Sequence, residues 1–308
     1  MVMYAEELTD DLKTRSRFKA TLVSLRPLQW IKNGFILIPL LFAQEIFNPQ
    51  SLASIFQAVI VFCFLSSGVY LINDLIDLEA DRRHPEKSKR PLAAGELSPR
   101  AAAFMAVTLV AVSLVWSAWI SAALLIIGIV YLSIQLLYSY RLKEVVIIDI
   151  FCISSGFLLR VLAGAAAIDV HVSDWLIVCT ILISMLLAMG KRRHELILLG
   201  DGDAKTHRKV LSKYTPYLLD QMIGVITGST ILSYMLYCIS ADTIEKFGTD
   251  HLIYTVPFVL FGIFRYLYLI HQKKTGGAPE KLLVSDKQLL ISVVLWGCLS
   301  VAIIYGGL

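Results

Sequence analysis

Long apolar runs alternate with short polar segments along this chain of 308 residues. A helix of about 20 mainly apolar residues is long enough to cross the hydrocarbon core of a membrane. On that basis the sequence predicts nine transmembrane helices, with ends uncertain by a few residues. Their approximate ranges are 21–43, 54–76, 101–119, 122–140, 146–168, 174–190, 217–240, 252–270 and 287–306.

Two of these segments are unusual. The apolar stretch 101–139 is too long for one span, so we divide it near 116–121, where a tight turn fits. The first span begins with polar residues, among them Arg26, Lys32 and Asn33. Charged side chains are costly inside a membrane. The first turns of this span are therefore expected to face polar groups.

The composition supports the same fold class. Hydrophobic residues make up 57% of the chain and charged residues only 17%, whereas soluble proteins have roughly 25% charged residues. We therefore predict an all-α, polytopic membrane helical bundle that forms a single domain over 1–308, with a cytoplasmic tail at about 1–20. The five cysteines occur singly, without a CxxC spacing, so neither a disulfide framework nor a zinc site is indicated.

Basic residues fall almost entirely on one side of the predicted membrane. Of the 28 Lys and Arg residues, 24 lie in the segments 1–26, 77–103, 138–145, 190–215 and 271–288. The loops of the other side contain only Lys246. Cytoplasmic loops carry an excess of Lys and Arg. The N-terminus and the basic loops are therefore predicted to be cytoplasmic, and nine spans place the C-terminus outside.

Acidic residues cluster at the end of the second predicted span, in the sequence NDLIDLEAD. On a helix, Asn73, Asp74, Asp77 and Asp81 project from one face; we call these four residues the aspartate stripe. Oxygen ligands suit Mg²⁺, which prefers one or two carboxylates together with substrate phosphates. Carboxylates at the membrane boundary are costly and usually functional. The stripe is therefore predicted to be a metal site that uses all four residues.

A group of bases follows at once and consists of Arg82, Arg83, Lys87, Lys89 and Arg90. Bases beside a metal–carboxylate site are what a phosphate-rich ligand requires. A simple topology signal on the cytoplasmic side accounts for the same residues equally well. On the functional interpretation, the acids bind the metal, the metal binds a diphosphate, and the bases neutralise the remaining phosphate charge.

These features resemble the UbiA-type membrane prenyltransferase superfamily. The resemblance rests on the nine predicted spans and on the aspartate stripe at the end of the second, and it covers nearly the whole chain. Members usually transfer a prenyl group from a prenyl diphosphate to an aromatic or other acceptor, and they carry a second Asp-rich motif after the sixth span. This sequence has Lys191, Arg192 and Arg193 there, followed by Glu195. That corner is therefore expected to bind phosphate directly.

One branch of the superfamily is more similar. The segments LRPLQWIKN, YSYRLKEVVIIDI and GKRRHEL, together with the stripe and the RPLAAG that follows it, resemble polyprenyl-phosphate phosphoribosyltransferases of cell-wall biosynthesis. The resemblance implies a pentosyl-type glycosyltransferase of the bacterial inner (plasma) membrane. Its donor would be 5-phosphoribosyl 1-diphosphate, its acceptor a decaprenyl-like polyprenyl phosphate, its cofactor Mg²⁺, and its leaving group diphosphate. No nucleic-acid partner is expected, and a homo-oligomer is left open.

Roles follow for individual residues on this resemblance. Asp74, Asp77 and Asp81 would hold Mg²⁺ against the leaving diphosphate, and Asp149 would serve the ribosyl ring through its developing positive charge or its hydroxyls. Asn73 would contact the diphosphate or orient the acids, and Lys191 and Arg192 would bind the 5-phosphate. The full set of predicted substrate-binding residues is Lys32, Asn73, Arg83, Arg90, Tyr138, Lys143, Arg160, Lys191 and Arg192.

The sequence leaves two interpretations open for each of two bases in this set, Lys32 and Arg160. Lys32 either reaches the site from the opposite wall or extends toward the headgroups, as long basic side chains do near membrane surfaces. Arg160 lies about 16 Å deeper than Asp149, three turns along the same helix face. It meets either the lipid phosphate or backbone carbonyl groups.

Two rival functions remain. A prenyltransferase with an aromatic acceptor predicts a second acidic motif after the sixth span, where this sequence has bases. A non-enzymatic lipid transporter or binder predicts broken helices at paired positions of two halves. No internal repeat of that kind is visible in the sequence.

Overall fold

The computed structural model describes residues 17–84, 86–207, 210–273, 277 and 279–306. Within these residues the regular structure is helical and no strand occurs, as the sequence predicts. The predicted tail 1–20 lies mostly outside the described residues. The α-helices are α1 (Arg17–Ser24), α2 (Ile38–Phe42), α3 (Pro49–Ile76), α4 (Leu78–Arg82), α5 (Pro99–Ile120), α6 (Ala122–Tyr140), α7 (Ile148–Ala167), α8 (Asp174–His207), α9 (Pro216–Ile239), α10 (Ala241–Phe247), α11 (Val256–His271), α12 (Pro279–Ser285) and α13 (Lys287–Gly306).

Eight helical segments of the described chain are long and apolar enough to cross a membrane. They correspond to eight of the nine predicted spans, so those eight predictions are confirmed. The segments are Pro49–Ile76, Pro99–Ile120, Ala122–Tyr140, Ile148–Ala167, Asp174–Leu198, Pro216–Ile239, His251–His271 and Lys287–Gly306. The chain is a multi-pass membrane protein.

The first predicted span, 21–43, is wrong as a continuous α-helix. Helix α1 ends at Ser24, Arg26 adopts a left-handed conformation with φ 54°, and a 3₁₀ segment, Pro27–Leu37, leads directly into α2. A residue that precedes proline is disfavoured in the α region, which accounts for the break at Arg26. A 3₁₀ helix rises further per residue than an α-helix, so this 3₁₀ segment and α2 together measure about 30 Å. That length matches the hydrocarbon core, which is also about 30 Å thick.

Local sequence signals explain where several spans begin and end. Asn48 caps α3, because its side chain accepts hydrogen bonds from the amides of Gln50 and Ser51. The predicted division of the apolar stretch 101–139 is confirmed at Ser121. This residue is extended, and its hydroxyl accepts a hydrogen bond from the Leu124 amide, which ends α5 and starts α6 within one residue.

The 3₁₀ segment runs between α3 and α7. Ile36 and Asn33 are fully buried there. A Cβ atom on Gly164 would lie 2.0 Å from the carbonyl oxygen of Ile36, so only glycine allows this close approach of the two backbones. The first segment of the chain is thereby fixed against the bundle, and its preceding residue Arg26 is brought to the end of α3.

Two large apolar clusters hold much of the bundle together. One joins the 3₁₀ segment, α3, α6 and α7, and the other joins α7, α8, α9 and α11 with the segment after α8. Helix α7 contributes to both clusters, through Ala163 and Ile150 respectively. The start of α7, where Asp149 lies, is therefore positioned by both halves of the bundle.

Candidate active site

The aspartate stripe follows α3 into α4 without losing helical register. Asp77 separates the two helices, yet its amide still donates to the Asn73 carbonyl at 2.9 Å, and the Asp81 amide donates to the Asp77 carbonyl at 2.8 Å. Asp74 is only 5% exposed and Asp81 only 2%. Two carboxylates are therefore withdrawn from water at one end of the bundle, with Asp77 half-buried beside them.

Bases neutralise the two buried carboxylates of the stripe. The Nη1 of Arg90 contacts both Oδ1 of Asp74, at 3.0 Å, and Oδ2 of Asp81. The Nη2 of Arg26 donates to the same Oδ1 of Asp74. The Nζ of Lys87 lies 3.9 Å from Oδ1 of Asp81. A buried carboxylate requires such pairing, because an uncompensated charge in these surroundings is strongly destabilising.

Asp77 is paired from a different part of the chain. The Nζ of Lys143 lies 2.8 Å from Oδ1 of Asp77. Lys143 belongs to the connection between α6 and α7, which contains a 3₁₀ turn, Leu142–Glu144. This ion pair therefore ties the α6–α7 connection to the aspartate stripe, and it brings two of the predicted site residues together.

A cavity of about 260 Å³ opens beside Asp74. Its lining includes three bases, Arg26, Lys89 and Arg90, and the carboxylates of Asp74 and Glu86. We call it the donor cavity. The bases around it have no counterpart in a purely apolar lipid groove, and a cavity that combines carboxylates with several bases suits a ligand that carries both metal and phosphate.

A second polar network lies at the start of α7, where the buried Asp149, Arg192 and Tyr214 meet the half-buried Tyr138 and Glu195. The Nε of Arg192 donates to Oδ2 of Asp149 at 2.7 Å, and the hydroxyl of Tyr214 donates to Oδ1 of Asp149 at 2.8 Å. Arg192 also donates to Glu195 at 2.7 Å and to the Tyr138 hydroxyl at 3.0 Å. Arg192 is 1% exposed and Asp149 is fully buried. Burial raises the pKa of the Tyr214 phenol, so its hydroxyl keeps the proton that it donates.

In the basic triplet after the sixth predicted span, Lys191 to Arg193, neighbouring arginines contact different helices. Arg192 faces Asp149, whereas Arg193 donates to both carboxylate oxygens of Asp220 and to the Ile270 carbonyl. Lys191 is half-buried. Arg193 therefore joins α8 to α9 and α11. Arg192 binds protein groups at the position where the sequence predicts a contact with the 5-phosphate.

The other predicted substrate-binding residues lie in three different environments. Arg160 is buried and donates to Asn33, to the Gly156 carbonyl and to the Tyr131 hydroxyl. Lys32 is half-buried, and its Nζ donates to Gln29 at 2.7 Å. Arg83 is exposed at the end of α4. The structure therefore gathers Arg90 and Lys143 around the aspartate stripe and places Arg160 among other polar groups of the bundle.

The sequence does not predict Arg26 and Tyr214 as site residues, and it predicts Lys87 only as a member of the basic group that follows the stripe. Arg26 and Lys87 pair with the stripe. The Arg-Pro step at the start of the first span was a usable signal for Arg26, since a base before a helix-breaking proline at a membrane boundary needs a partner. Tyr214 gives no comparable signal, because it reaches Asp149 from 65 residues away.

The side-chain oxygens of the aspartate stripe fit Mg²⁺ as part of its coordination shell, with the remaining ligands supplied from outside the protein. Among the described residues, no group of three or more His, Cys, Asp or Glu side chains is arranged so that it could hold a metal ion by itself. Mg²⁺ does not require one, since it usually binds one or two carboxylates and completes its octahedron with water and substrate phosphates. The carboxylates of the stripe offer oxygen ligands, and the neighbouring bases balance their charge.

Known proteins resemble this chain over most of its length. The model of the UbiA prenyltransferase family matches residues 35–292. The decaprenyl-phosphate phosphoribosyltransferase of Corynebacterium glutamicum is 37% identical over 281 residues, which are 89% of this chain and 83% of that protein. The enzyme of the same name from Mycolicibacterium smegmatis is 36% identical over 292 residues, 92% of each chain.

A solved structure shows the same fold. A UbiA homolog from Archaeoglobus fulgidus bound to GPP and Mg²⁺ superposes with a TM-score of 0.71 at 22% identity, and the match covers 93% of this chain and 98% of that one. The bundle of described helices and the extent of the family match lead to one conclusion. This chain belongs to the UbiA prenyltransferase family.

Proposed function

We propose that this chain is a Mg²⁺-dependent polyprenyl-phosphate phosphoribosyltransferase. It transfers the 5-phosphoribosyl group from 5-phosphoribosyl 1-diphosphate to a decaprenyl-like polyprenyl phosphate and releases diphosphate. The observation that carries this proposal is the donor cavity, where two arginines and a lysine surround the buried Asp74. The names of the relatives that are 36–37% identical support the same reaction.

The reaction is a displacement at the anomeric carbon of the ribosyl group. An oxygen of the lipid phosphate forms a bond to C1 while the bond between C1 and the diphosphate oxygen breaks. The lipid phosphate is already an anion, so the protein needs no strong general base. Catalysis then consists mainly of holding the two reactants in line and stabilising charge on the leaving group.

We assign the metal to the aspartate stripe. Asp74, Asp77 and Asp81 would hold Mg²⁺, with Asn73 beside them. When bound, Mg²⁺ supplies Lewis-acid neutralisation of the leaving diphosphate. The same oxygens now accept hydrogen bonds from Arg26, Arg90 and Lys143. Ligand binding therefore requires these bases to exchange carboxylate partners for phosphate partners.

That exchange gives Arg26 and Arg90 a role in binding the donor. Both guanidinium groups contact the single oxygen Oδ1 of Asp74. Guanidinium groups bind phosphate as readily as carboxylate, often through two hydrogen bonds at once. We infer that, when the donor binds, both guanidinium groups exchange Oδ1 of Asp74 for an oxygen of the diphosphate or of the 5-phosphate. Lys89 lines the same donor cavity.

Asp149 and Arg192 support this reaction from the wall of the site. Both oxygens of Asp149 accept hydrogen bonds, and Arg192 is almost fully buried. Arg192 would have to leave Asp149 to bind the 5-phosphate. The bases around Asp74 are already beside a cavity, and so they are the better-supported phosphate ligands.

The rival with an aromatic acceptor is less well supported. Its second acidic motif would follow the sixth predicted span, where the sequence has Lys191, Arg192 and Arg193 and where Glu195 pairs with Arg192. A labelled-substrate assay separates the two functions. Membranes that contain the protein are incubated with Mg²⁺ and labelled 5-phosphoribosyl 1-diphosphate, and label is expected in a polyprenyl phosphate product. No labelled lipid in this incubation, together with a labelled product from a parallel incubation with a labelled prenyl diphosphate and an aromatic acceptor, would refute the proposal.

The proposal includes an orientation in the bacterial plasma membrane, with the aspartate stripe and the N-terminus in the cytoplasm and the C-terminus outside. Its support is the concentration of bases at the stripe, since cytoplasmic loops are rich in Lys and Arg. Alkaline phosphatase fused after Gly248 is expected to be active, and the same enzyme fused after Gly95 inactive. The reverse pattern would contradict the orientation.

A further inference from the structure

Tyr214 reaches the start of α7 from a segment 65 residues away in sequence. Its hydroxyl donates to Oδ1 of Asp149 at 2.8 Å and accepts a hydrogen bond of 2.7 Å from the amide of Ile147. Tyr214 is 3% exposed. One buried hydroxyl therefore holds both the backbone of the α6–α7 connection and the first carboxylate of α7.

The backbone at Ile147 is strained. Its φ is 71° and its ψ is −45°, a conformation that a β-branched residue rarely adopts. Such conformations persist only where the surrounding structure enforces them, and they concentrate at functional sites. The Tyr214 hydroxyl accepts a hydrogen bond from the amide of this strained residue, so Tyr214 directly restrains the turn.

The restrained connection carries Lys143, four residues before Ile147. Lys143 pairs with Asp77 of the aspartate stripe at 2.8 Å. The α6–α7 connection is thus fixed at one end by the stripe and at the other by Tyr214. Loss of the Tyr214 hydroxyl would release the Ile147 turn, and Lys143 would then move relative to Asp77. The same loss would leave Oδ1 of Asp149 without the hydrogen bond from Tyr214.

The segment that carries Tyr214 is itself firmly docked. Val210 is fully buried and Leu211 is 2% exposed. Val210 and Tyr214 belong to the apolar cluster that also includes Ile150 of α7. The hydroxyl is therefore presented by a packed segment and not by a loose side chain.

We propose that Tyr214 is a positioning residue, whose hydroxyl holds the α6–α7 connection so that Lys143 and Asp149 face the phosphoribosyl donor. This inference rests on the proposed function for its kinetic consequences. Tyr214 touches no reacting atom in this scheme. It acts through the turn at Ile147 and through Asp149.

The test compares Tyr214→Phe with Tyr234→Phe. Tyr234 is a matched control, because it is also buried and its hydroxyl also makes two hydrogen bonds, with the side chains of Thr255 and Trp296, away from the stripe. Tyr214→Phe is expected to lower kcat/KM for 5-phosphoribosyl 1-diphosphate about tenfold, the effect of one lost hydrogen bond to a charged group. The KM for the polyprenyl phosphate stays unchanged, and Tyr234→Phe alters neither constant.

A rescue separates positioning from simple loss of stability. Glycine adopts a positive φ without strain. Ile147→Gly in the Tyr214→Phe background is therefore expected to recover part of the lost kcat/KM for the donor. In a Lys143→Gln background, Tyr214→Phe is expected to cost much less than it does alone. Equal effects of Tyr214→Phe and Tyr234→Phe on every constant, or a Tyr214→Phe enzyme with normal donor kinetics, would overturn the inference.

Hydrogen–deuterium exchange tests the restraint without any substrate. The peptide covering 141–149 is expected to exchange faster in Tyr214→Phe than in wild type, and at the wild-type rate in Tyr234→Phe. An unchanged rate in Tyr214→Phe would overturn the inference even if the enzyme is active. A wild-type protein that makes no phosphoribosyl lipid, yet shows the faster exchange, would refute the proposed function and leave the restraint by Tyr214 established.

Discussion

The Nε of Arg160 donates a hydrogen bond of 2.8 Å to Oδ1 of Asn33, and this bond joins α7 to the 3₁₀ segment inside the bundle. Its two other guanidinium nitrogens donate to the Gly156 carbonyl and to the Tyr131 hydroxyl. Every side-chain nitrogen of Arg160 therefore has an acceptor within the protein. Of the two interpretations that the sequence leaves open for this residue, the geometry favours the one in which it binds backbone and side-chain oxygens.

We predict that Arg160→Met lowers stability without weakening lipid binding. The substitution leaves three buried acceptors without their donor, which costs about 3 kcal/mol or more. Thermal unfolding in detergent measures the loss, and initial rates at varied polyprenyl phosphate measure the KM. Ser155→Ala, a half-buried change on the same helix whose hydroxyl donates to the Phe151 carbonyl, is the control. Normal unfolding together with a raised KM for the lipid would instead indicate a contact with the lipid phosphate.

The fold could be predicted well because a membrane helix must satisfy its backbone hydrogen bonds internally. Apolar run length is then nearly sufficient, as the division at Ser121 shows. The exception is the segment after Arg26, where Pro27 and several polar residues favour a broken helix. Its 3₁₀ form depends on the close approach of Ile36 to Gly164, which is a tertiary contact that no run length contains.

The site was only partly predictable, and the basic triplet shows why. Arg192 and Arg193 are adjacent in sequence, but α8 turns them toward different helices, where they meet Asp149 and Asp220 respectively. Residue type predicted that this corner binds anions. Whether the anion is a carboxylate of the protein or a phosphate of the substrate depends on which helix faces each side chain.

We predict that each aspartate of the stripe is needed for turnover. Asp74→Asn, Asp77→Asn and Asp81→Asn each remove a charged oxygen ligand and keep the side-chain volume. The rate is expected to fall by about 100-fold or more, as when other charge-stabilising groups are removed. Transfer of labelled phosphoribosyl is measured at several Mg²⁺ concentrations.

The control for the stripe is Glu79→Gln, since Glu79 is an exposed acid of α4 that pairs with Arg82. It is expected to keep the wild-type rate. Equal losses in Glu79→Gln and Asp77→Asn would mean that the rate depends on the general charge of α4, and a specific metal site would then be ruled out.

We predict that Arg90→Ala weakens donor binding. Arg90 is the shared partner of Asp74 and Asp81, and in the proposed exchange it moves onto donor phosphate. The KM for 5-phosphoribosyl 1-diphosphate is expected to rise about tenfold, the effect of one charge-assisted hydrogen bond. Arg82→Ala removes an exposed base nearby and is expected to have no effect. An unchanged KM in Arg90→Ala would place the donor elsewhere.

The last prediction concerns acid sensitivity at the start of α13. Arg265 of α11 donates two hydrogen bonds to Asp286, at 3.1 and 2.7 Å, and Asp286 also accepts one from the Leu289 amide at 2.9 Å. The hydrogen bond from Arg265 holds the pKa of Asp286 below its ordinary value, which is about 3.9. A carboxylate with a lowered pKa in the folded state stabilises the protein fully above the ordinary pKa. That contribution is lost as the pH falls through the lower, folded value.

Asp286→Asn keeps a side chain that can cap the helix and removes the charge, so it isolates this contribution. Wild type is expected to unfold at a higher temperature than Asp286→Asn near neutral pH, and the difference is expected to shrink as the pH falls below about 4. Asp242→Asn changes an exposed carboxylate of α10 and controls for general charge. A difference between wild type and Asp286→Asn that stays constant with pH would show that the Arg265 contact does not stabilise the carboxylate form, and the junction of α11 with α13 would then depend on apolar packing alone.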